Sequence, residues 1–177
     1  MKFKWTLAAA LLVTTAWALT VKQASIKKLT EDAALIVIGK VESQTAQWEN
    51  GNIFTHVTLE VKQCLKGKLP NKFVVVKNYG GTIGETSQIV SGAPEFAPGK
   101  EVMLFLVAWR DEYYIHSIAL GEFTLIQENN RRYAINDLSH VTLVDPVTHQ
   151  KISEPEKKRT KVELEAFIQQ VRDFVRE

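Results

Sequence analysis

Between Ala34 and Ile135 the chain keeps a steady cadence. Short runs of β-branched and aromatic residues are cut, every eight to twelve positions or so, by glycine, proline or asparagine. That cadence constrains the fold more than any other feature, because six or seven short strands with regular turns close into a sandwich or a barrel. The first run, Ala34-Leu-Ile-Val-Ile38, is apolar throughout, which suits a strand covered on both faces. Gly39 follows it, where a bulge or sharp bend is expected, and then Lys40-Val41-Glu42-Ser43 alternates.

The polar stretch 44–52 reads as a connection carrying the hairpin signal Asn50-Gly51. Beyond it the alternation is clear. Ile53, Val57, Leu59 and Val61 point one way; Phe54, His56, Thr58, Glu60 and Lys62 point the other. Phe73 to Val76 forms a third strand after a turn at 66–71. The run Tyr79-Gly80-Gly81-Thr82-Ile83-Gly84 is too rich in glycine for regular structure, and a short strand is expected at 86–90. A loop held by Pro94 and Pro98 precedes strands at 102–107, 113–118, 121–126 and 132–135.

Helices flank this region. Ile26, Leu29 and Ala33 recur at helical spacing, so a short helix is expected within 19–32. At the other end, 145–159 is polar and holds two prolines, as a linker would. Thr160-x-x-Glu163 has the form of a capping box. Leu164, Phe167, Ile168, Val171, Phe174 and Val175 then form one apolar stripe, so residues 160–177 are expected to be an amphipathic helix packed on the β-domain. The expected organisation is a signal segment over 1–18, a small antiparallel OB-like β-barrel with its N-terminal helix over 19–144, the linker over 145–159, and the C-terminal helix.

Residues 1–18 have the build of a secretory signal: Lys2 and Lys4, an apolar run, then Ala16-Trp17-Ala18. The apolar run is short for a membrane span. The reading is export to the periplasm or the extracellular space, with a mature chain starting at Leu19 and no stable membrane insertion. Removal of Lys2 and Lys4 brings 22 basic and 20 acidic residues level, so nothing global favours nucleic acid. The local cluster Lys157-Lys158-Arg159 alternates with acidic residues and reads as a solvated segment. The single cysteine, Cys64, excludes an internal disulfide and is expected to pack as a small apolar residue.

No motif announces a chemistry. His56, His116, His140 and His149 lack zinc-ligand spacing, Ser91 lacks a nucleophile elbow, and Gly80, Gly81 and Gly84 match no phosphate-binding loop. No metal or cofactor is therefore expected, and an enzyme is less expected than a binding domain. A dispersed hydrolase site would draw on His56 and Glu60, which share a strand face, and on His116. A non-enzymatic binding domain would use its long loops to hold a protein or a glycan. Its candidate contact residues are Trp48, Asn50, Tyr79, Thr82, Glu95 and Phe96.

Two segments carry a family resemblance. Ala33-Ala-Leu-Ile-Val-Ile-Gly-Lys-Val-Glu-Ser43, followed by Leu59-Glu-Val-Lys-Gln-Cys-Leu-Lys-Gly67, resembles the opening of netrin-like OB-fold domains such as the tissue inhibitors of metalloproteinases. The stretches 80–84 and 90–106 are similar to a set of uncharacterised exported bacterial proteins. The resemblance implies an OB-like barrel and, as an alternative function, an inhibitor or accessory protein of a secreted protease. The inhibitors' zinc-chelating N-terminal cysteine has no counterpart, since Leu19 stands at the expected mature N-terminus.

Overall fold

The computed structural model describes residues 26–90, 92–138 and 160–177. The expected signal segment 1–18, Ser91, His140, His149 and the whole of the expected linker 145–159, with its 157–159 basic cluster, lie outside the described residues. The fold is mainly β. Helix α1 spans 26–32. The strands are β1 (Leu35–Glu49), β2 (Asn52–Lys66), β3 (Phe73–Tyr79), β4 (Gly81–Ile83), β5 (Thr86–Gln88), β6 (Glu101–Trp109), β7 (Glu112–Ile115), β8 (Glu122–Glu128), β9 (Arg131–Asn136) and β10 (Thr160–Glu163); helix α2 (Leu164–Arg176) ends the chain.

Among the described residues, eight strands form one sheet in the order β1-β2-β3-β7-β6-β8-β9-β10, and a further β1–β6 pairing makes part of it ring-like. Five strands complete that ring. All its contacts are antiparallel except β3–β7, which is parallel. β6 serves both parts of the sheet. On one edge it pairs with β1; on the other its first half pairs with β8 and its second half with β7. Residues 117–120 loop out between those halves, and Phe105 bridges the gap. Its N–H donates to Gly121 O at 2.9 Å, and its carbonyl accepts from His116 N at 2.8 Å.

This topology explains the unbroken apolar runs. Leu35 and Val37 of β1, with Val102, Leu104 and Leu106 of β6, face the inside of the ring, where they meet Val57, Leu59, Val74, Val76 and Ile115. Ile36, Ile38, Met103 and Phe105 face the other way, against Leu29 of α1 and Leu164, Phe167, Ile168 and Val171 of α2. Successive side chains point to opposite faces of a strand, and here each face has its own core. Each fully buried Leu, Ile or Val contributes about 1.5–3 kcal/mol through apolar area removed from water.

Several sequence expectations need correction. The stretch 44–49 is strand, not loop: β1 and β2 are each 15 residues long and meet at the tight turn Asn50-Gly51, with φ of 50° and 81°. Polar composition concealed a strand that solvent reaches on both faces. The glycine-rich stretch at 80–84 is regular, since β4 and β5 make a two-stranded hairpin. Gly81 is required there, at φ 146° with Thr55 Oγ1 only 2.4 Å from where a Cβ would sit. Residues 160–163 form β10 on the edge of β9, so the C-terminal helix starts later than expected. Its N-cap is Glu163, whose carboxylate accepts from Ala166 N at 2.9 Å, and Thr160 does not cap it. Cys64 is exposed rather than buried. Its Sγ donates to Lys66 O at 3.2 Å, and partial desolvation pushes the thiol up, away from a reactive thiolate.

The bend expected at Gly39 is present as a register shift between Ile38 and Gly39. α1 is tied down by Lys66, whose Nζ donates to the carbonyls of Thr30 at 2.7 Å and Glu31 at 2.8 Å. A lysine on the last carbonyls of a helix complements its dipole. Among the described residues, no helix is long and apolar enough to cross a membrane.

Candidate binding site

On β3, Val74 and Val76 point into the ring, and the alternation turns Phe73, Val75, Lys77 and Tyr79 outward. Outward should mean exposed, yet Lys77 is only 7% exposed. Its neighbours close over it. Register sets His56 of β2 opposite Lys77 and places Lys77 beside Tyr114 of β7. The Lys77 ammonium pairs with Glu49 and with Glu112, the latter at 3.0 Å. It also lies 4.6 Å from the Phe54 ring centre and 5.8 Å from that of Tyr114. Glu49 reaches on to His56 Nε2 at 2.6 Å, and the Tyr114 hydroxyl donates to Glu112 at 2.7 Å.

Burial works against the charge on Lys77, but its hydrogen bonds to Glu49 and Glu112 outweigh that and hold the amine well above its ordinary range. The Lys77 hydrogen bond, reinforced by His56, holds Glu49 below the usual carboxylate range. The Tyr114 hydroxyl and then Lys77 do the same for Glu112. Depressed carboxylate values add stability that is present above the ordinary value of 4.5 and is lost as pH falls through the folded values. The raised Lys77 value acts at the other end, adding stability that is lost only as pH rises through it. Stability is therefore expected to be level from about pH 5 to 9 and to fall below that range. Replacing the cation, as in Lys77→Met, should cost about 2 kcal/mol, less than a fully enclosed pair because both carboxylates keep solvent contact. The acid decline should also be shallower in that variant, because without the cation both carboxylates titrate closer to their unfolded value and have less stability to lose on protonation. Urea titrations across pH 3 to 9 measure both effects; an acid limb unchanged by Lys77→Met would refute the assignment.

Above this charged base runs a row of rings. Phe54 and Tyr79 lie 5.4 Å apart, Tyr79 and Tyr114 5.9 Å, and Tyr114 and Trp109 6.2 Å. Tyr79 is 39% and Trp109 58% exposed. The Arg110 guanidinium covers one side of Trp109 at 4.4 Å. Beside the row is an open depression of about 250 Å³ lined by Tyr79, Val107, Trp109, Tyr114, Ile115 and Ile118, with Ser117 adding a hydroxyl. Ser117 and Ile118 both hold left-handed backbone, at φ 50° and 59°. For the β-branched Ile118 that conformation is an outlier, and strain of this kind gathers at ligand-contacting sites.

Of the six candidate residues, only Tyr79 belongs to this row. Trp48 is exposed but sits in β1 opposite Ile53, on the sheet face away from Phe54 and Tyr79. Asn50 forms the turn. Thr82 bonds Ser87 at 2.8 Å within the β4–β5 hairpin. Glu95 is exposed in the 92–100 loop. Phe96 is no surface contact: it is 7% exposed and plugs the ring among Val41, Val74 and Val102. Asn78 Nδ2 holds that loop by donating to Pro94 O at 2.9 Å, and the Lys100 amine covers the Phe96 ring at 5.3 Å.

His56, Glu60 and His116 do not share a partner. His56 bonds Glu49, Glu60 pairs with Lys62 at 2.6 Å and Lys72 at 3.3 Å, and His116 meets Asp32 at 3.3 Å. Among the described residues, no group of three or more His, Cys, Asp or Glu is placed to hold a metal ion. Trp109, the most exposed ring of the row, was missed in the sequence. Its signal was local: an indole at a strand end, next to the Arg110-Asp111 turn and Tyr113-Tyr114. The chain matches no family model and no curated protein.

Proposed function

We propose that this chain is an exported, non-enzymatic binding domain on an OB-like barrel, and that it holds a protein ligand at the Tyr79–Tyr114–Trp109 surface. The barrel reading is supported by the strand ring β1-β2-β3-β7-β6-β1 with its single parallel contact, β3–β7. The binding reading rests on one observation: exposed aromatic rings beside an apolar depression, fixed from beneath by the buried Lys77 network. Tyr and Trp are the residues on which interface energy concentrates. A protein fits better than a glycan because, apart from tyrosine hydroxyls and Ser117, the depression offers few groups to bond sugar hydroxyls.

The test is selection of peptides from a displayed random library on the immobilised chain, with a glycan array in parallel. Enriched peptides should share a large apolar anchor. Trp109→Ala and Tyr79→Ala should each weaken their binding about tenfold or more, while Trp48→Ala leaves it unchanged. Peptide binding indifferent to Trp109→Ala, or binding on the glycan array alone, would overturn the proposal.

A further inference from the structure

Beyond Val41, β1 is paired with another strand on one side only among the described residues. β2 pairs with it as far as Glu49, but pairing with β6 stops at Lys40, and the last backbone bonds on that side join Val41 to Gly99 and Lys100. Glu49 and Asn52 flank a two-residue turn, so they exchange hydrogen bonds. Counting back, Gln47, Thr45 and Ser43 bond to β2, whereas Gln44, Ala46 and Trp48 turn their N–H and C=O groups outward. Among the described residues those outward groups have no backbone partner.

Natural sheets guard such an edge with lysine, proline, bulges or a covering loop. The stretch Ser43-Gln-Thr-Ala-Gln-Trp48 has no charge and no proline, and the last register shift lies before it, between Val41 and Ser43. Trp48 leaves 55% of its surface in solvent at the end of this edge.

We propose that two copies of this chain associate through this edge, with β1 pairing antiparallel to β1 across a two-fold axis at Ala46. A second copy fits because the edge is complementary to itself. Ala46 meets Ala46, Gln44 meets the second copy's Trp48, and Thr45 meets its Gln47. Glu42 falls opposite Asn50 and Glu49 opposite Ser43, so no like charges face each other. Each indole covers the aliphatic stem of a glutamine across the axis. The paired stretch is short against the ~1,000 Å² of a stable interface, so the dissociation constant is on the order of 10–100 µM. This surface is separate from the Trp109 surface, and neither proposal depends on the other.

The experiment is sedimentation equilibrium of the chain recovered from an exporting host, from about 1 to 500 µM, a range set by that affinity. The unmodified chain should move from monomer to dimer across it. The double variants Gln44→Lys/Trp48→Lys and Gln44→Glu/Trp48→Glu place like charges opposite each other, and each should weaken self-association about tenfold or more. Mixed one to one, the two variants set opposite charges against each other at both ends of the paired stretch and should recover a heterodimer. Both substitutions are on exposed strand positions, and circular dichroism checks that the fold survives. A chain that stays monomeric throughout the range, including one that captures an extended peptide on β1 instead, would overturn the proposal. So would dimers that persist unchanged in both charged variants, or a mixture that fails to associate.

Discussion

Phe105→Ala is expected to lower stability by about 4 kcal/mol, the largest loss from any single truncation described here. Phe105 is fully buried on the outer face of β6. Its ring lies 5.8 Å from Phe123 and 6.3 Å from Phe167, so it joins the sheet to α2. Truncation leaves the backbone bonds to Gly121 and His116 in place and opens a cavity between the two layers. The urea midpoint should fall with little change in slope. A loss under about 1 kcal/mol would mean that α2 collapses onto the vacated space, so that the outer core is not close-packed.

Gly39→Val is expected to cost about 3 kcal/mol by overpacking. A Cβ at Gly39 would sit 2.7 Å from Glu60 O and 3.3 Å from both Glu60 C and Val61 Cα, all backbone atoms of β2. β1 cannot shift away, because Gly39 is also registered with Val102 of β6. Thermal or urea unfolding gives the loss. A variant as stable as the parent would show that the bulge between Ile38 and Gly39 can relax.

Gly39 also shows what could be read in advance. A glycine after an unbroken apolar run signals a bend, because the bend brings backbone onto backbone where no side chain fits. The run 34–38 was legible for a similar local reason: with both faces covered, alternation vanishes and only apolar residues remain. Positions whose role is set by distant parts of the chain were not legible. Phe96 lies between two prolines, and nothing nearby says that it plugs the ring. Lys77 sits in an alternating strand as a solvated lysine would, and it is buried only because Glu49 and Glu112 arrive from β1 and β7. The strand at 44–49 escaped notice because periodicity reports burial, and that strand has little. Thr160-x-x-Glu163 has the spacing of a capping box, but pairing with β9 takes those residues into the sheet and leaves Glu163 as the cap.

The β1–β6 contact that closes the ring has a kinetic side. The pairings β1–β2, β6–β7 and β8–β9 each join strands separated by a tight turn, whereas Leu35 must find Leu106 across about seventy residues of chain. Loop-closure entropy makes that one contact harder to form by about 3 kcal/mol than a hairpin of two residues. During synthesis the hairpins can therefore assemble before the ring does. In that interval the inner edges of β1 and β6, both strongly apolar, are unpaired together. The moment of greatest exposure to aggregation is set by this single long-range closure, and a cell that makes the protein must keep the chain apart from its neighbours until that closure is complete.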